Sequence, residues 1–151
     1  MRLRDLLTDE TVELNAEMSD WSESVRLAGS LLVEAGAVLP SYVDAMVRTV
    51  EEIGPYIVVA PGIALAHARP EDGVKRLCMS LVRVTAPVEF GSESNDPVDL
   101  VFAFGAMDKE THLDALRDLA WLLQDADAVL GLRECSTPEE VVRLVSQHGR
   151  D

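Results

Sequence analysis

Gly54-Pro55-Tyr56-Ile57-Val58-Val59-Ala60-Pro61-Gly62-Ile63-Ala64-Leu65-Ala66-His67-Ala68-Arg69-Pro70 is the stretch on which the reading of this chain turns. A Gly-Pro pair opens it and stops whatever helix precedes it. Tyr56 to Ala60 then reads as a buried strand, and the apolar run that continues to Ala66 is too short to span a bilayer and is broken by Pro61-Gly62. His67 follows in a loop that Arg69, Pro70 and Gly73 close. Loops at strand ends, braced by Pro and Gly, are where α/β proteins commonly place reactive groups. A neutral imidazole in such a loop can attack a phosphoryl group and form a phosphohistidine, and Arg69 would supply a nearby positive charge. A loop histidine is also often just a polar surface residue, so spacing alone leaves both readings open.

Working outward, the chain alternates helical and strand-like patterns, which points to an α/β layer architecture. Asp20 and Glu23 form a capping-box pattern, followed at helical spacing by Trp21, Val25, Ala28, Leu32 and Ala35 as far as Gly36. A second helix is expected from about Ser41, with Tyr42, Ala45, Met46, Val50 and Ile53 as its apolar stripe. Leu77 to Val84 and Val98 to Ala106 read as strands, with a shorter one at Pro87 to Phe90 and a polar surface loop from Gly91 to Asn95. From Thr111 the period is helical again, with Asp114 completing a capping box and Leu113, Leu116, Ala120 and Leu123 on one face. Thr137, Pro138 and Glu140 mark the start of the last helix.

The totals exclude several classes of function. A chain of 151 residues with no repeat or linker fits one domain, 1–151. Its formal charge of −14 repels phosphate backbones and anionic lipid, so neither nucleic-acid nor membrane-surface binding is expected, and with no apolar run long enough to span a bilayer no direct membrane insertion is expected either. An anionic substrate would need a local exception to that field. Cys78 and Cys135 fit no metal or CxxC pattern and read as free thiols of a reducing cytosol. The opening Met1-Arg2-Leu3-Arg4-Asp5-Leu6-Leu7 lacks the apolar core of a secretory signal, so a cytoplasmic location is expected.

His112 stands at the first turn of the helix read from Thr111, where unpaired amides and the helix dipole favour an anion. It is placed to support a phosphate carried by another residue, or is simply exposed. His148 lies in the tail and reads as exposed and without function. No HExxH, P-loop, GxGxxG or GxSxG pattern occurs, and the histidines do not cluster in sequence, so neither a metal nor a bound cofactor is expected. Asp96 and Asp99, flanking Pro97, suit turn or capping roles better than acid–base work.

From Tyr42-Val43-Asp44-Ala45-Met46 through Gly54-Pro55-Tyr56 to Ala64-Leu65-Ala66-His67-Ala68-Arg69-Pro70, the chain resembles the mannitol/fructose-type (type 2) enzyme IIA of the bacterial phosphoenolpyruvate-dependent sugar phosphotransferase system. Asn95-Asp96-Pro97-Val98-Asp99-Leu100 and the His112 helix are similar to the same family. Gly54-Pro55-Tyr56, the Pro61-Gly62 spacing and Arg4-Asp5-Leu6-Leu7 resemble its ascorbate branch. The resemblance implies a mixed, mostly parallel sheet of about four to five strands sandwiched between helices. It further implies that His67 accepts a phosphoryl group from the histidine-containing phosphocarrier protein and passes it to a cysteine of enzyme IIB, for uptake of ascorbate or a related sugar through the membrane-embedded enzyme IIC. His112 matches the second histidine of the family, which holds the phosphoryl group. A regulatory, nitrogen-type enzyme IIA that acts by phosphorylation-dependent binding is the alternative. Two positions depart from the pattern. Ala66 stands where the family usually has proline, which loosens the expected backbone preference of Leu65. The family's helix arginine aligns near Thr49, with Arg48 one step and about 100° away, so Arg69 is the candidate cation carried forward.

Overall fold

In the computed structural model, which describes residues 3–148, five strands and six α-helices build the layers. The tail read as Gly149, Arg150 and Asp151 lies outside the described residues, as do Met1 and Arg2. The strands are β1 (Val12–Ala16), β2 (Val58–Ala60), β3 (Ile63–Ala66), β4 (Cys78–Val88) and β5 (Val98–Gly105). The helices are α1 (Leu3–Leu6), α2 (Trp21–Glu34), α3 (Pro40–Ile53), α4 (Lys109–Leu123), α5 (Ala126–Glu134) and α6 (Pro138–His148). The sheet runs β1-β4-β5-β3-β2. It is mixed, as expected, but not mostly parallel: β1 with β4 and β3 with β5 are parallel, while β4 with β5 and β2 with β3 are antiparallel.

Alternation along the strands divides the interior into two cores. Ala64, Ala66, Val82, Val84, Val101 and Ala103 face α2 and α3. Ile63, Leu65, Met79, Leu81, Leu100, Phe102 and Phe104 face α1, α4, α5 and α6. Both surfaces of the central strands are therefore buried, which is why they read as continuous apolar runs rather than as alternating ones. Ser80 is the buried polar exception, and its hydroxyl donates to Ala28 O at 2.7 Å.

The caps locate most helix starts. Asp20 accepts Glu23 N–H at 2.9 Å, and the Thr137 hydroxyl accepts Glu140 N–H at 3.2 Å, both as read from sequence. The helix expected from Ser41 begins at Pro40, whose missing N–H costs nothing in a first turn. The helix expected from Thr111 begins at Lys109, because Asp108 is the cap and accepts Thr111 N–H at 2.9 Å. Its buried face also differs from the expected stripe: Ala115, Leu119 and Leu122 are buried, Leu116 and Leu123 are half-buried, and Leu113 and Ala120 are exposed.

Three strand expectations change. Tyr56 to Ala60 is strand only from Val58, and Ile63–Ala66 is a separate strand. Pro61-Gly62, read as an interruption, is the hairpin turn between them, with Gly62 at φ 76°. The two segments expected at Leu77 to Val84 and Pro87 to Phe90 are one strand, β4, whose register against β5 shifts between Arg83 and Val88. The short elements α1, β1 and α5 carry too little periodicity to be read. His148 is half-buried rather than exposed, with Nδ1 2.7 Å from Asp125 Oδ2.

Asp96 takes the capping role expected of it. Its carboxylate accepts the N–H groups of Phe90 (3.0 Å), Gly91 (2.7 Å) and Ser92 (3.0 Å), gathering the loop between β4 and β5. That loop also seats the hairpin turn, since Gly62 N–H donates to Asn95 O at 2.9 Å. Asp96→Ala leaves three amides without an acceptor and is expected to cost about 2 kcal/mol, read as a lower urea midpoint with an unchanged slope.

Candidate active site

β3 and β5 are adjacent and parallel, so they deliver their carboxyl ends to the same edge of the sheet. Clefts outside such ends are the usual ligand sites of α/β sheets. Here a cleft of about 430 Å³ lies between α3 and the start of α4. Its lining includes Arg48, Thr49, Glu52, Ile53 and Tyr56 together with His67, Arg69, Asp72 and His112.

His67 is the first residue after β3, and the ladder carries Ala66 into register with Ala103. Ala66 is fully buried there, and its place in the ladder holds the residue before His67 in extended strand geometry. The His67 ring rests against Phe104 at a centroid distance of 5.7 Å and meets the edge of Tyr56 at 5.8 Å. His67 Nδ1 lies 3.1 Å from Leu65 O. A carbonyl can only accept, so Nδ1 carries the proton and Nε2 keeps its lone pair. Burial, with a smaller contribution from His112, holds the His67 pKa below the ordinary histidine range despite the opposing bond to Leu65.

His112 is brought to this ring, as the family resemblance implied. The two imidazole centroids are 6.0 Å apart, and His112 also packs on Phe104 at 5.0 Å. Its ring nitrogens make no hydrogen bond among the described residues. One part of the expectation changes: the amides of this helix start are not simply open to an anion. The Asp108 carboxylate already takes Thr111 N–H and the Thr111 hydroxyl, and those bonds lower its pKa.

The two arginines differ. Arg69 reaches the cleft rim but is 81% exposed and shares its charge with Asp72 at 3.9 Å. Arg48, set aside in the sequence reading, lines the same cleft from α3 and forms no ion pair among the described residues. Thr49 lines the cleft too, but its hydroxyl is spent on Ala45 O at 2.7 Å. Phe104 and Tyr56 were read only as strand residues; no spacing rule links positions so far apart in sequence.

Residues 5–148 match the family described as phosphoenolpyruvate-dependent sugar phosphotransferase system, EIIA 2. The chain belongs to that family. It is accordingly a phosphotransferase component of such a system. It is 40% identical over 149 residues to the ascorbate-specific PTS system EIIA component of Escherichia coli (strain K12), covering 97% of each chain. Among solved structures it is similar to the PTS IIA protein PtxA of Streptococcus mutans, with a TM-score of 0.90, 35% identity and 98% and 95% of the two chains covered. It is also similar to a complex of mannitol enzyme IIA with phosphorylated mannitol enzyme IIB from Escherichia coli, with a TM-score of 0.81, 26% identity and 93% and 97% covered. No helix among the described residues is long and apolar enough to cross a membrane.

Because the lowered pKa of His67 means that the folded state binds fewer protons than the unfolded one, the His67 contribution to stability is fully present above the ordinary histidine pKa. It is lost as pH falls towards the folded value. A proton NMR titration is expected to place His67 below the ordinary range, and His67→Ala is expected to flatten the acid limb of the stability profile.

Proposed function

We propose that this chain is a single, cytoplasmic enzyme IIA domain that carries a phosphoryl group on His67 Nε2 in the uptake of ascorbate or a closely related sugar. The observation that carries the reading is the bond between His67 Nδ1 and Leu65 O, which leaves Nε2 as the free nucleophile beside His112 and Arg48. The donor is the phosphohistidine of the histidine-containing phosphocarrier protein. The His67 Nε2 lone pair forms the new P–N bond as the donor's P–N bond breaks and its imidazole leaves with the electron pair. A cysteine thiolate of enzyme IIB then attacks phosphorus, the P–N bond to His67 breaks, and His67 returns to its starting tautomer with its Nδ1 proton retained.

Phosphoryl transfer has a loose transition state, so position and charge do most of the work. A ring N–H of His112 donates to a phosphoryl oxygen, and the unpaired Arg48 guanidinium offsets the charge more strongly than Arg69, which Asp72 partly neutralises. The exposed apolar side chains of Ile53 and Tyr56 at the cleft give both partners a surface to cover. Neither a metal nor a cofactor enters the scheme. Enzyme IIC is reached only through enzyme IIB. The relative at 40% identity is named for ascorbate, which supports transport above the regulatory alternative.

Incubation with phosphoenolpyruvate, the general first enzyme and the phosphocarrier is expected to add one acid-labile phosphate; labelling of His67→Ala would sink the assignment. His112→Ala is expected to slow transfer to enzyme IIB by about 100-fold, as loss of one oxyanion donor does. Arg48→Ala is expected to slow acceptance more than Arg69→Ala does, in stopped-flow measurements at low salt. Transfer by the wild type is expected to weaken as ionic strength rises, since the acidic surface steers a basic face of the donor.

A further inference from the structure

We infer that the Tyr42 hydroxyl is the positioning group for His67, fixing the ring from the backbone side. The inference rests on the reading of His67 given above and concerns a residue remote in sequence from it. Tyr42 stands in the first turn of α3 and is buried. Its hydroxyl is 2.7 Å from Phe104 O, 3.3 Å from Ala68 O and 3.0 Å from Ala68 N. A single O–H has one proton to give, so it donates to the nearer carbonyl, that of Phe104, and accepts the Ala68 N–H on a lone pair. Burial pushes the Tyr42 pKa well up, which keeps the phenol neutral and able to do both.

The two groups so joined flank the nucleophile. Ala68 follows His67 in the chain, and Phe104 is the aromatic floor on which both His67 and His112 rest. On the other side of His67, the ladder with β5 holds Ala66 against Ala103. His67 is thus one residue between two fixed points, the sheet before it and the Tyr42 hydroxyl after it. The far end of the same loop is tied to the same helix start, Ser41 Oγ donating to Asp72 O at 3.0 Å and Leu39 N–H to Gly73 O at 2.8 Å. Those bonds hold residues 72 and 73, and Tyr42 holds the end next to the imidazole. Without that hydroxyl, the peptide between His67 and Ala68 can rotate, and the alignment of Nδ1 with Leu65 O is lost with it.

Tyr42→Phe keeps the ring and removes only the oxygen. Long-range nitrogen–proton NMR of the wild type is expected to show His67 as one tautomer, protonated at Nδ1. In Tyr42→Phe the signals are expected to move towards a mixture of tautomers. Acceptance of phosphate is expected to slow about tenfold at saturating phosphocarrier, with KM little changed. Val145→Ala, a truncation in the core under α6, serves as the control for general destabilisation and is expected to leave tautomer and rate unchanged. A folded Tyr42→Phe protein with wild-type nitrogen shifts and rate would overturn the inference. If Tyr42→Phe does not fold, hydrogen exchange of the Ala68 amide in the wild type decides: protection comparable to β3 supports it, and exchange at the rate of an open loop overturns it. The tautomer is read without any phosphate, so failure of the phosphoryl-carrier reading is separable from failure of this one.

Discussion

The parallel pairing of β3 with β5 is the constraint on which the site depends. In register from Ile63 and Leu100 to Ala66 and Ala103, the two strands run the same way and end almost together. The chain therefore leaves the sheet at one edge in two places, once at His67 and once just beyond Phe104. Residues distant in sequence are brought into ring contact because their strands share a direction. An antiparallel pair would have sent one of them to the opposite edge. The remaining features act on that juxtaposition: α3 closes one side of the cleft, α4 supplies His112 on the other, and the Leu65 carbonyl selects the tautomer.

Much of this was legible from sequence, and the limits have physical causes. Helices marked by side-chain caps, at Asp20 and Thr137, could be read because the signal is local. The α4 start was misplaced by two residues because Asp108 and Thr111 are both good caps, and only the fold decides between them. β3 was hidden because Pro61-Gly62 serves equally as a break and as a turn, and the partner that makes it a turn is Asn95, more than thirty residues on. His67 and His112 were found as separate candidates by their local settings, but nothing short of the family resemblance placed them side by side. Arg48 and Thr49 show the reverse limit. Alignment fixes a position on a helix, whereas a cleft is lined by an arc of it, and both residues fall within that arc.

Charge follows the same economy. A chain carrying −14 must still accept a phosphoryl group, and the exception is made by placement rather than by number. Two histidines and the Arg48 guanidinium, which forms no ion pair among the described residues, sit at the cleft, and the lowered His67 pKa keeps its lone pair available at neutral pH. The cysteines contribute nothing to this chemistry. Both are buried free thiols, and burial pushes Cys78 up to about 11, far from the thiolate form.

With His67 as the proposed phosphoryl carrier, the cleft described above offers one nucleophile, and donor and acceptor must both reach it. They therefore exclude each other in time, and the protein works as a ferry with a single berth. Each crossing includes an undocking, so a grip tight enough to hold either partner would stall the traffic. Throughput is best served by partners that meet quickly and part quickly, with long-range attraction supplying the meeting and a modest area of contact permitting the parting.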